Sequence, residues 1–239
     1  MPDEVKVTFV SWLGCLDYGN ALELQMRICA SKKQAFKEDV LLLLEHPPTI
    51  TLGRNGKWIH LIAPPETLNS RGIACHEVDR GGDITFHGRG QLVGYPILQL
   101  AAGERDVRLY MRNLEQSLIQ VLAAYGIQGG RDEKYTGVWT CQGKIAAMGV
   151  HISRWITRHG FALNVNTDLS FYDLIIPCGI PGKAVVSMSS HLGRSIDIRE
   201  VAEKYAVEFG AVFNRDMRWV AEQQLREVLP TSPAAVEAS

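Results

Sequence analysis

The sequence predicts one α+β domain over residues 1–229, in which a mixed and partly antiparallel sheet is flanked by helices. Three strand-length segments follow one another within residues 137–165 and are joined by polar turns, which is typical of an antiparallel meander. Residues 106–126 carry apolar side chains at helical spacing and end at a glycine, which indicates a helix. The composition changes only in the Pro-, Ser- and Ala-rich tail at 230–239, which we expect to be disordered.

The remaining elements follow in chain order. We predict strands over 5–13, 40–46, 49–53, 73–80 and 92–100, and helices over 17–38, 64–72, 197–213 and 216–229. The run VLLLLEH is continuously apolar and is stopped by two prolines, so its strand is expected to be buried on both faces. Because Pro96 lies within 92–100, we place that strand at a sheet edge or a bulge. Helix 17–38 is expected to bury Leu22, Met26, Cys29 and Phe36.

Charge and cysteine spacing argue against several classes of protein. The chain has 25 Lys+Arg against 26 Asp+Glu, so we expect neither a nucleic acid nor a membrane as its main partner. From the stretch MPDEVKVTFVSWL we expect no secretory signal, and no apolar run comes near the ~20 residues that a membrane span requires. Its five cysteines are widely spaced without a CxxC motif, so we expect no disulfide framework, no metal site and a reduced, cytoplasmic location.

The stretch RGGDITFHGRGQ, residues 80–91, is dense in glycine. Such a backbone can bend through positive φ and approach a ligand closely, and its N–H groups can bind carbonyl oxygens or anions. Asp83, Thr85 and His87 alternate along it and can therefore face the same side. The spacing fits neither a phosphate-binding loop nor a dinucleotide fold. A tight hairpin with a polar face remains the alternative.

Two further stretches combine polar groups with small residues. In QGKIAAMGV, Lys144 begins a strand whose small residues leave room for a flat or linear group; it is either a desolvated functional lysine or one that extends to water. In HGFALNVN, His159 precedes Gly160 and Ala162, and Asn164 and Asn166 share one strand face. These asparagines either bind a ligand or cap the backbone of a loop.

The segment LIIPCGIPG places Cys178 between prolines and glycines. Pro177 fixes its own φ and favours an extended Ile176, and Gly179 permits a sharp turn directly after the cysteine. A cysteine in this setting is either a buried, inert thiol or an accessible nucleophile. Local sequence alone leaves both possibilities open.

Taken together, these stretches resemble the lipoyl/octanoyl transferase family. The resemblance is carried by EHPPTITLGR, RGGDITFHGRGQLVGYP, GVWTCQGKIAAMGV, HGFALNVNTDL and IPCGI, in the family's order and spacing and within residues 5–215. It implies the fold shared by biotin and lipoate protein ligases. Two positions depart from the family pattern. Arg89 stands where the family usually has proline, and VVSM at 185–188 lacks a frequent threonine.

The resemblance implies transfer of an octanoyl or lipoyl group by way of a cysteine thioester, without a cofactor. Donor and acceptor would be octanoylated acyl carrier protein and the lipoyl domains of 2-oxoacid dehydrogenase E2 subunits and glycine cleavage H protein. Cys178 and Lys144 match the family's catalytic pair, and we hold His87 as a second candidate base. The implied substrate-binding residues are Arg80, Gly81, Gly82, Asp83, Ile84, Thr85, Phe86, His87, Ala147, Met148, Gly149, Gly160, Phe161 and Ala162.

Small residues on the two strands are expected to line a slot for the acyl chain, namely Ala146, Ala147, Gly149, Gly160 and Ala162, so that Gly149→Val would shorten the preferred chain. Two alternatives remain. An ATP-dependent lipoate or biotin ligase would need no cysteine nucleophile. A non-catalytic acyl- or lipoyl-domain-binding module would tolerate the loss of Cys178 or Lys144.

Overall fold

The computed structural model describes residues 5–34, 36–177 and 183–229. Its strands are β1 (Lys6–Cys15), β2 (Asp39–Glu45), β3 (Thr49–Leu52), β4 (Ala74–Glu77), β5 (Ile84–His87), β6 (Gln91–Ile97), β7 (Val138–Thr140), β8 (Gly143–Ser153), β9 (Ile156–Asn164) and β10 (Arg215–Trp219). Its α-helices are α1 (Tyr18–Gln34), α2 (Pro65–Ser70), α3 (Val107–Ala124), α4 (Met188–Leu192), α5 (Ile198–Phe213) and α6 (Glu222–Val228).

Within these residues, seven strands form a mixed sheet in the order β10-β1-β2-β6-β9-β8-β7. Strand β1 runs parallel to both β10 and β2, whereas the other neighbours are antiparallel. The last three strands form the meander that the sequence predicts. The predicted tail at 230–239 lies outside the described residues.

Helices cover both faces of this sheet. Leu41 and Leu43 of β2 belong to the apolar cluster that α3 and α5 complete, whereas Leu42 and Leu44 belong to the cluster completed by α1 and α6. Successive residues of a strand point to opposite faces, so an apolar run fills both layers. The predicted double-sided burial of this strand is confirmed.

A smaller sheet, in the order β4-β3-β5, carries the glycine-rich stretch. Its apolar face includes Ile50, Ile84 and Phe86, which pack with Tyr172 and Ile175 from the segment that precedes Cys178. The small sheet therefore connects residues 80–91 to the approach to that cysteine.

Strand β6 lies in the middle of the large sheet, between β2 and β9, so the predicted edge position is wrong. A central proline is tolerated here because the ladder to β9 ends at Gly94, two residues before Pro96. Beyond that point the Thr157 hydroxyl donates to the Pro96 carbonyl (2.7 Å) and accepts from the N–H of Leu98 (2.9 Å). The Thr157 side chain thus makes the hydrogen bonds that the strand ladder does not make at this point.

Two helix predictions also need correction. Residues 215–219 form strand β10 and not the start of a helix, because their backbone pairs with Lys6–Val10 at the edge of the sheet, and tertiary pairing overrides a weak local preference. In α1 the buried face includes Leu24, Gln25 and Ile28, while Met26 is 53% exposed. The polar Gln25 is buried because its Oε1 accepts the N–H of His159 (2.8 Å).

Across the described residues, no helix combines the length and apolarity needed to cross a bilayer.

Candidate active site

A cavity lies between the loop and strand at 80–87 and the strands β8 and β9. Protein atoms leave about 460 Å³ empty there. Of the predicted substrate-binding residues, the cavity is lined by Arg80, Gly82, Asp83, Ile84, Thr85, His87, Ala147, Met148, Gly149, Gly160, Phe161 and Ala162. Gly81 and Phe86 are not part of the lining; Phe86 packs in the small sheet's core. Tyr18, Tyr95 and His159 also line the cavity.

The cavity floor is formed by four small residues. Ala147 pairs with Ala162 and Gly149 pairs with Gly160 in the antiparallel ladder of β8 and β9. Residues opposite each other in such a ladder point to the same face, so all four share one face. Ala146 and the intervening Met148 belong to the cluster on the other face, so the expectation that Ala146 lines the slot is wrong. The result is a strip of exposed main chain.

Both glycines of the floor also permit close backbone contacts. A Cβ at Gly149 would lie 2.6 Å from the Gly81 carbonyl oxygen, and one at Gly160 would overlap the Gly94 carbonyl. The N–H of Gly81 donates to the Val150 carbonyl (2.9 Å), which holds the loop on β8. Our expectation that Gly149 serves only as space for an acyl chain is therefore incomplete, because the loop occupies the side-chain position.

The guanidinium of Arg80 joins this loop to the small sheet. Its Nη2 donates to the carbonyl and the Oγ1 of Thr51, both at 2.8 Å, and its Nη1 donates to the Gly81 carbonyl at 3.0 Å. Asp83 acts similarly, since its Oδ1 accepts from the N–H of Ile84 (2.7 Å) and its Oδ2 lies 2.6 Å from Nδ1 of His60. Both side chains line the cavity and shape its rim.

Uncharged polar rings form the opposite wall. His87 donates from Nδ1 to Gln91 Oε1 (2.9 Å), because an amide oxygen only accepts, and its Nε2 lies 3.4 Å from Thr51 Oγ1. Burial, followed by the charge fields of His46 and Arg80, holds the pKa of His87 well below its usual value. At neutral pH this imidazole is therefore uncharged.

The neighbouring rings behave alike. His46 donates from Nδ1 to the Leu16 carbonyl (2.6 Å) and accepts at Nε2 from the Tyr95 hydroxyl (2.8 Å). Burial lowers its pKa to about 4, and burial together with Arg158 lowers the pKa of His159 to about 3. Burial also raises the pKa of Tyr18 to about 12.

Sequence reasoning missed two wall residues, Tyr18 and Tyr95. Tyr95 lies within the family motif RGGDITFHGRGQLVGYP, so the motif could have indicated it as a site residue. Tyr18 starts a helix far from the other wall residues along the chain, and no local pattern marks it.

Lys144 is buried at the other end of the same strand that supplies the floor. The residue is 8% exposed, and its Nζ lies 5.3 Å from the centre of the Trp139 ring. A Cβ at Gly137 would lie 2.7 Å from Lys144 Cε, so that glycine, at φ 127°, makes room for the lysine. The buried Glu115 accepts the N–H of Gly137 (3.3 Å) and holds it there.

Cys178 lies outside the described residues, as do residues 179–182. The described residues on both sides of this gap are fixed. Before it, Ile176 donates its N–H to the His60 carbonyl (2.7 Å). After it, Ala184 accepts the N–H of Lys144 (2.9 Å), and Val186 donates to the Lys144 carbonyl (3.0 Å). The chain that follows the cysteine thus runs beside Lys144.

The two asparagines of β9 and its continuation cap backbone. Asn166 forms two hydrogen bonds with Ile196, at 2.7 Å and 3.0 Å, and Asn164 donates to the Val186 carbonyl at 3.1 Å. Of the alternatives left open by the sequence, the loop-capping role describes both. In the described part of the chain, no group of three His, Cys, Asp or Glu side chains is placed to hold a metal ion.

Comparison with known proteins gives one consistent family. The model of the lipoyl protein ligase A/B catalytic domain matches residues 17–210. The octanoyltransferase of Solibacter usitatus is 53% identical over 205 residues, covering 86% of this chain and 92% of that protein. The octanoyltransferase of Koribacter versatilis is 47% identical over 224 residues, covering 92% and 88%.

Among solved structures, the chain is similar to a bipartite lipoate protein ligase from Thermoplasma acidophilum. The TM-score is 0.73 at 15% identity, covering 95% of this chain and 92% of the other. At this identity the similarity establishes the fold alone. The lipoate ligase-like fold implied by the sequence motifs is confirmed.

Proposed function

The chain belongs to the lipoyl protein ligase A/B catalytic-domain family and is an acyltransferase of the octanoyltransferase type, and from this premise we propose that it transfers octanoyl groups through a thioester on Cys178. One observation carries the proposal. Strand β8 supplies both the cavity floor and Lys144, and the chain that follows Cys178 is hydrogen-bonded to Lys144. Acyl binding and a basic residue are thereby combined beside the cysteine-bearing segment.

The cavity suits an acyl chain better than a charged ligand. Its floor is alanine, glycine and main chain, and the His87 and Tyr18 rings of its wall are uncharged at neutral pH. The charged Arg80 and Asp83 at its rim are bonded to protein groups. Burying each methylene is worth ~0.8 kcal/mol, so an octanoyl chain gains affinity from length without a specific polar contact. Chain length would then be limited by how far the cavity extends.

In the first step, the Cys178 thiolate attacks the thioester carbonyl of an octanoylated acyl carrier protein. The carrier's thiolate leaves and takes up the proton of the Lys144 ammonium, which becomes neutral. One thioester replaces another, so no ATP is consumed. A free thiol with a pKa near ~8.5 is only slightly ionised at neutral pH. A nearby ammonium favours the thiolate, and Lys144 is our candidate for that group.

In the second step, a lysine amine of the acceptor attacks the Cys178 thioester. The C–N bond forms, the C–S bond breaks, and the Cys178 thiolate leaves. Lys144, once neutral, accepts the proton of the attacking amine as general base. We prefer it to His87, because protein groups contact both ring nitrogens of His87 and its pKa is strongly lowered. His87 is then a wall residue.

The family acts on lipoyl domains. For this chain we propose octanoylated acyl carrier protein as donor. As acceptors we propose the lipoyl domains of 2-oxoacid dehydrogenase E2 subunits and of glycine cleavage H protein, in the cytoplasm. Arg89 is exposed beside the cavity strand and adds a positive charge where an acidic carrier can approach.

The test is intact-mass measurement of the protein after incubation with octanoylated carrier and no ATP. We expect an octanoyl adduct that hydroxylamine removes and that Cys178→Ala abolishes, followed by loss of the adduct when an apo-lipoyl domain is added. Normal transfer by Cys178→Ala would overturn the proposal. A strict requirement for ATP would instead favour the ligase alternative.

A further inference from the structure

Asn164, the last residue of β9, is buried between the two described flanks of residues 178–182. Its Oδ1 accepts hydrogen bonds from the Tyr172 hydroxyl (3.3 Å) and from Gln91 Nε2 (3.0 Å). Its Nδ2 donates to the Val186 carbonyl (3.1 Å). A single amide thus connects Tyr172, which precedes the cysteine, to Val186, which follows it.

Val186 in turn is bonded to Lys144. Its N–H donates to the Lys144 carbonyl (3.0 Å), while the N–H of Lys144 donates to the Ala184 carbonyl (2.9 Å). The Val186 peptide therefore bonds to Lys144 through its N–H and to Asn164 through its carbonyl. Val186 therefore links the side-chain amide of Asn164 to the backbone of Lys144, the proposed base.

The third contact of Asn164 leads to the cavity. Gln91 pairs with Asn164 across β6 and β9, and its Oε1 accepts the Nδ1–H of His87, which lines the cavity wall. Asn164 is 2% exposed, so water does not compete for these bonds. Buried networks of this kind are worth most when every member is satisfied.

We propose that Asn164 is a positioning residue for acyl transfer, holding the flanks of the cysteine-bearing segment in a fixed relation to Lys144 and the cavity wall. The inference rests on the proposed function, because it concerns the placement of groups that act in that reaction. It needs an amide, which accepts from Tyr172 and donates to Val186 at once. A carboxylate at this position has no proton to donate and would repel the Val186 carbonyl.

Asn166 provides a matched control two residues further on. Its amide also makes two hydrogen bonds to backbone, accepting from the N–H of Ile196 and donating to its carbonyl. Ile196 precedes α5, so the hydrogen bonds of the Asn166 side chain run to a different loop from those of Asn164. Replacing either asparagine by aspartate creates the same local conflict in a different loop.

The experiment compares Asn164→Asp with Asn166→Asp, measuring octanoyl transfer from carrier to apo-lipoyl domain together with urea unfolding. Misplacing reacting groups by about 1 Å can cost about 100-fold in rate. We expect a loss of that order in kcat for Asn164→Asp, with KM for the carrier little changed, and near-normal kcat for Asn166→Asp at a similar unfolding midpoint.

Equal kcat for the two variants would overturn the inference. Tyr172→Phe removes the hydroxyl that donates to Asn164 and accepts from Gln91, so it is a milder second test if Asn164→Asp does not fold. We expect Tyr172→Phe to lower kcat, but by less than Asn164→Asp does. If Asn164→Asp does not fold and Tyr172→Phe has an unchanged kcat, the inference is rejected. Failure of the proposed function is distinguishable, since it requires transfer by Cys178→Ala in the otherwise unmodified chain.

Discussion

Among the proposed catalytic residues that the structure describes, Lys144 has the surroundings that best fit a role in catalysis. It is buried against Trp139, with Gly137 making room for its terminal carbons. We expect Lys144→Ala to lower the rate of octanoyl transfer by at least ~100-fold, the usual contribution of a general base, with little change in the unfolding midpoint. Steady-state kinetics and thermal unfolding would measure both.

Lys183 is the matched control for this prediction. Its Nζ also lies 5.3 Å from the Trp139 ring centre, but its side chain is 47% exposed and pairs with Asp132. Lys183→Ala removes the same charge from the same ring. A comparable loss of transfer in Lys183→Ala would contradict a specific role for Lys144.

At the residue scale, the sequence identified groups that stand in local patterns. Lys144 begins a strand of small residues, and Ala147 and Ala162 could be matched because strands alternate with a period of two. Tyr18 could not be found, because its approach to His46 and His87 depends on how α1 packs across two sheets. The role of Asn164 likewise depends on partners more than twenty residues away, such as Val186.

At the scale of elements, the paired strands β8 and β9 separate two kinds of small residue. Ala147 lines the cavity, whereas the side-chain position of Gly149 is filled by the loop carrying Gly81. We expect Ala147→Val to lower the octanoyl-to-hexanoyl ratio of kcat/KM by about tenfold, which is typical for one or two carbons in an apolar pocket. Transfer assays with carriers bearing each chain would measure it.

Gly149→Val is expected to act differently. The added side chain displaces the loop at 80–82, so we expect a loss of stability of about 1–3 kcal/mol and reduced transfer of both chain lengths in equal proportion. Denaturant unfolding together with the same assays separates the two effects. A selective loss of octanoyl transfer in Gly149→Val, with normal stability, would restore the simpler slot model.

Elements with strong periodicity were predictable, and those defined by distant pairing were not. Helix α3 ends at Ala124, two residues before Gly126, as its apolar spacing indicates. Strand β10, with the sequence RDMRW, has too little apolar pattern to be recognised. It forms by pairing with β1, which lies near the opposite end of the sequence. The central place of β6 is likewise a property of the sheet order.

At the scale of the whole molecule, Asp39 joins distant parts of the chain. Its carboxylate accepts from Lys32 (2.8 Å), from the N–H of Gln99 (2.8 Å) and from Arg215 (3.2 Å), and it is 1% exposed. Removing one partner of a buried ion pair leaves uncompensated charge. We therefore expect Asp39→Ala to lower the free energy of unfolding by about 3–5 kcal/mol in urea titrations.

The exposed pair of Arg199 and Glu203 is the control for Asp39. It spans one turn of α5, with side chains 41% and 55% exposed. Because water screens such pairs, Glu203→Ala is expected to cost less than about 1 kcal/mol. Similar costs for the two variants would show that burial does not set the strength of the Asp39 network.

The buried, neutral His46 behind the cavity wall is expected to make the whole fold acid-sensitive. An unfolded histidine takes up a proton near pH 6.5, whereas folded His46 does so only near about 4. The unfolded state therefore binds more protons in this interval, and stability falls as the pH decreases. Between pH 6.5 and 5 we expect His46 to contribute a loss of roughly 1.5 kcal/mol.

Urea unfolding at several pH values tests this expectation. The unfolding free energy of His46→Asn is expected to fall less between pH 6.5 and 5 than that of the unmodified protein. The difference should be roughly 1.5 kcal/mol, the contribution expected from His46. An unchanged pH dependence in that variant would mean that His46 protonates equally well in the folded and unfolded states.

The cavity floor has a consequence for how substrate range can change over evolution. On the strip formed by Ala147, Gly149, Gly160 and Ala162, the two glycines are held by close backbone contacts, and any substitution of the two alanines other than glycine raises the floor. Enlarging either alanine therefore excludes longer acyl chains. A relative adapted to a longer chain would have to change on the facing side, where Tyr18 and Tyr95 still have volume to lose. The two sides of one cavity thus differ in the direction in which mutation can move its specificity.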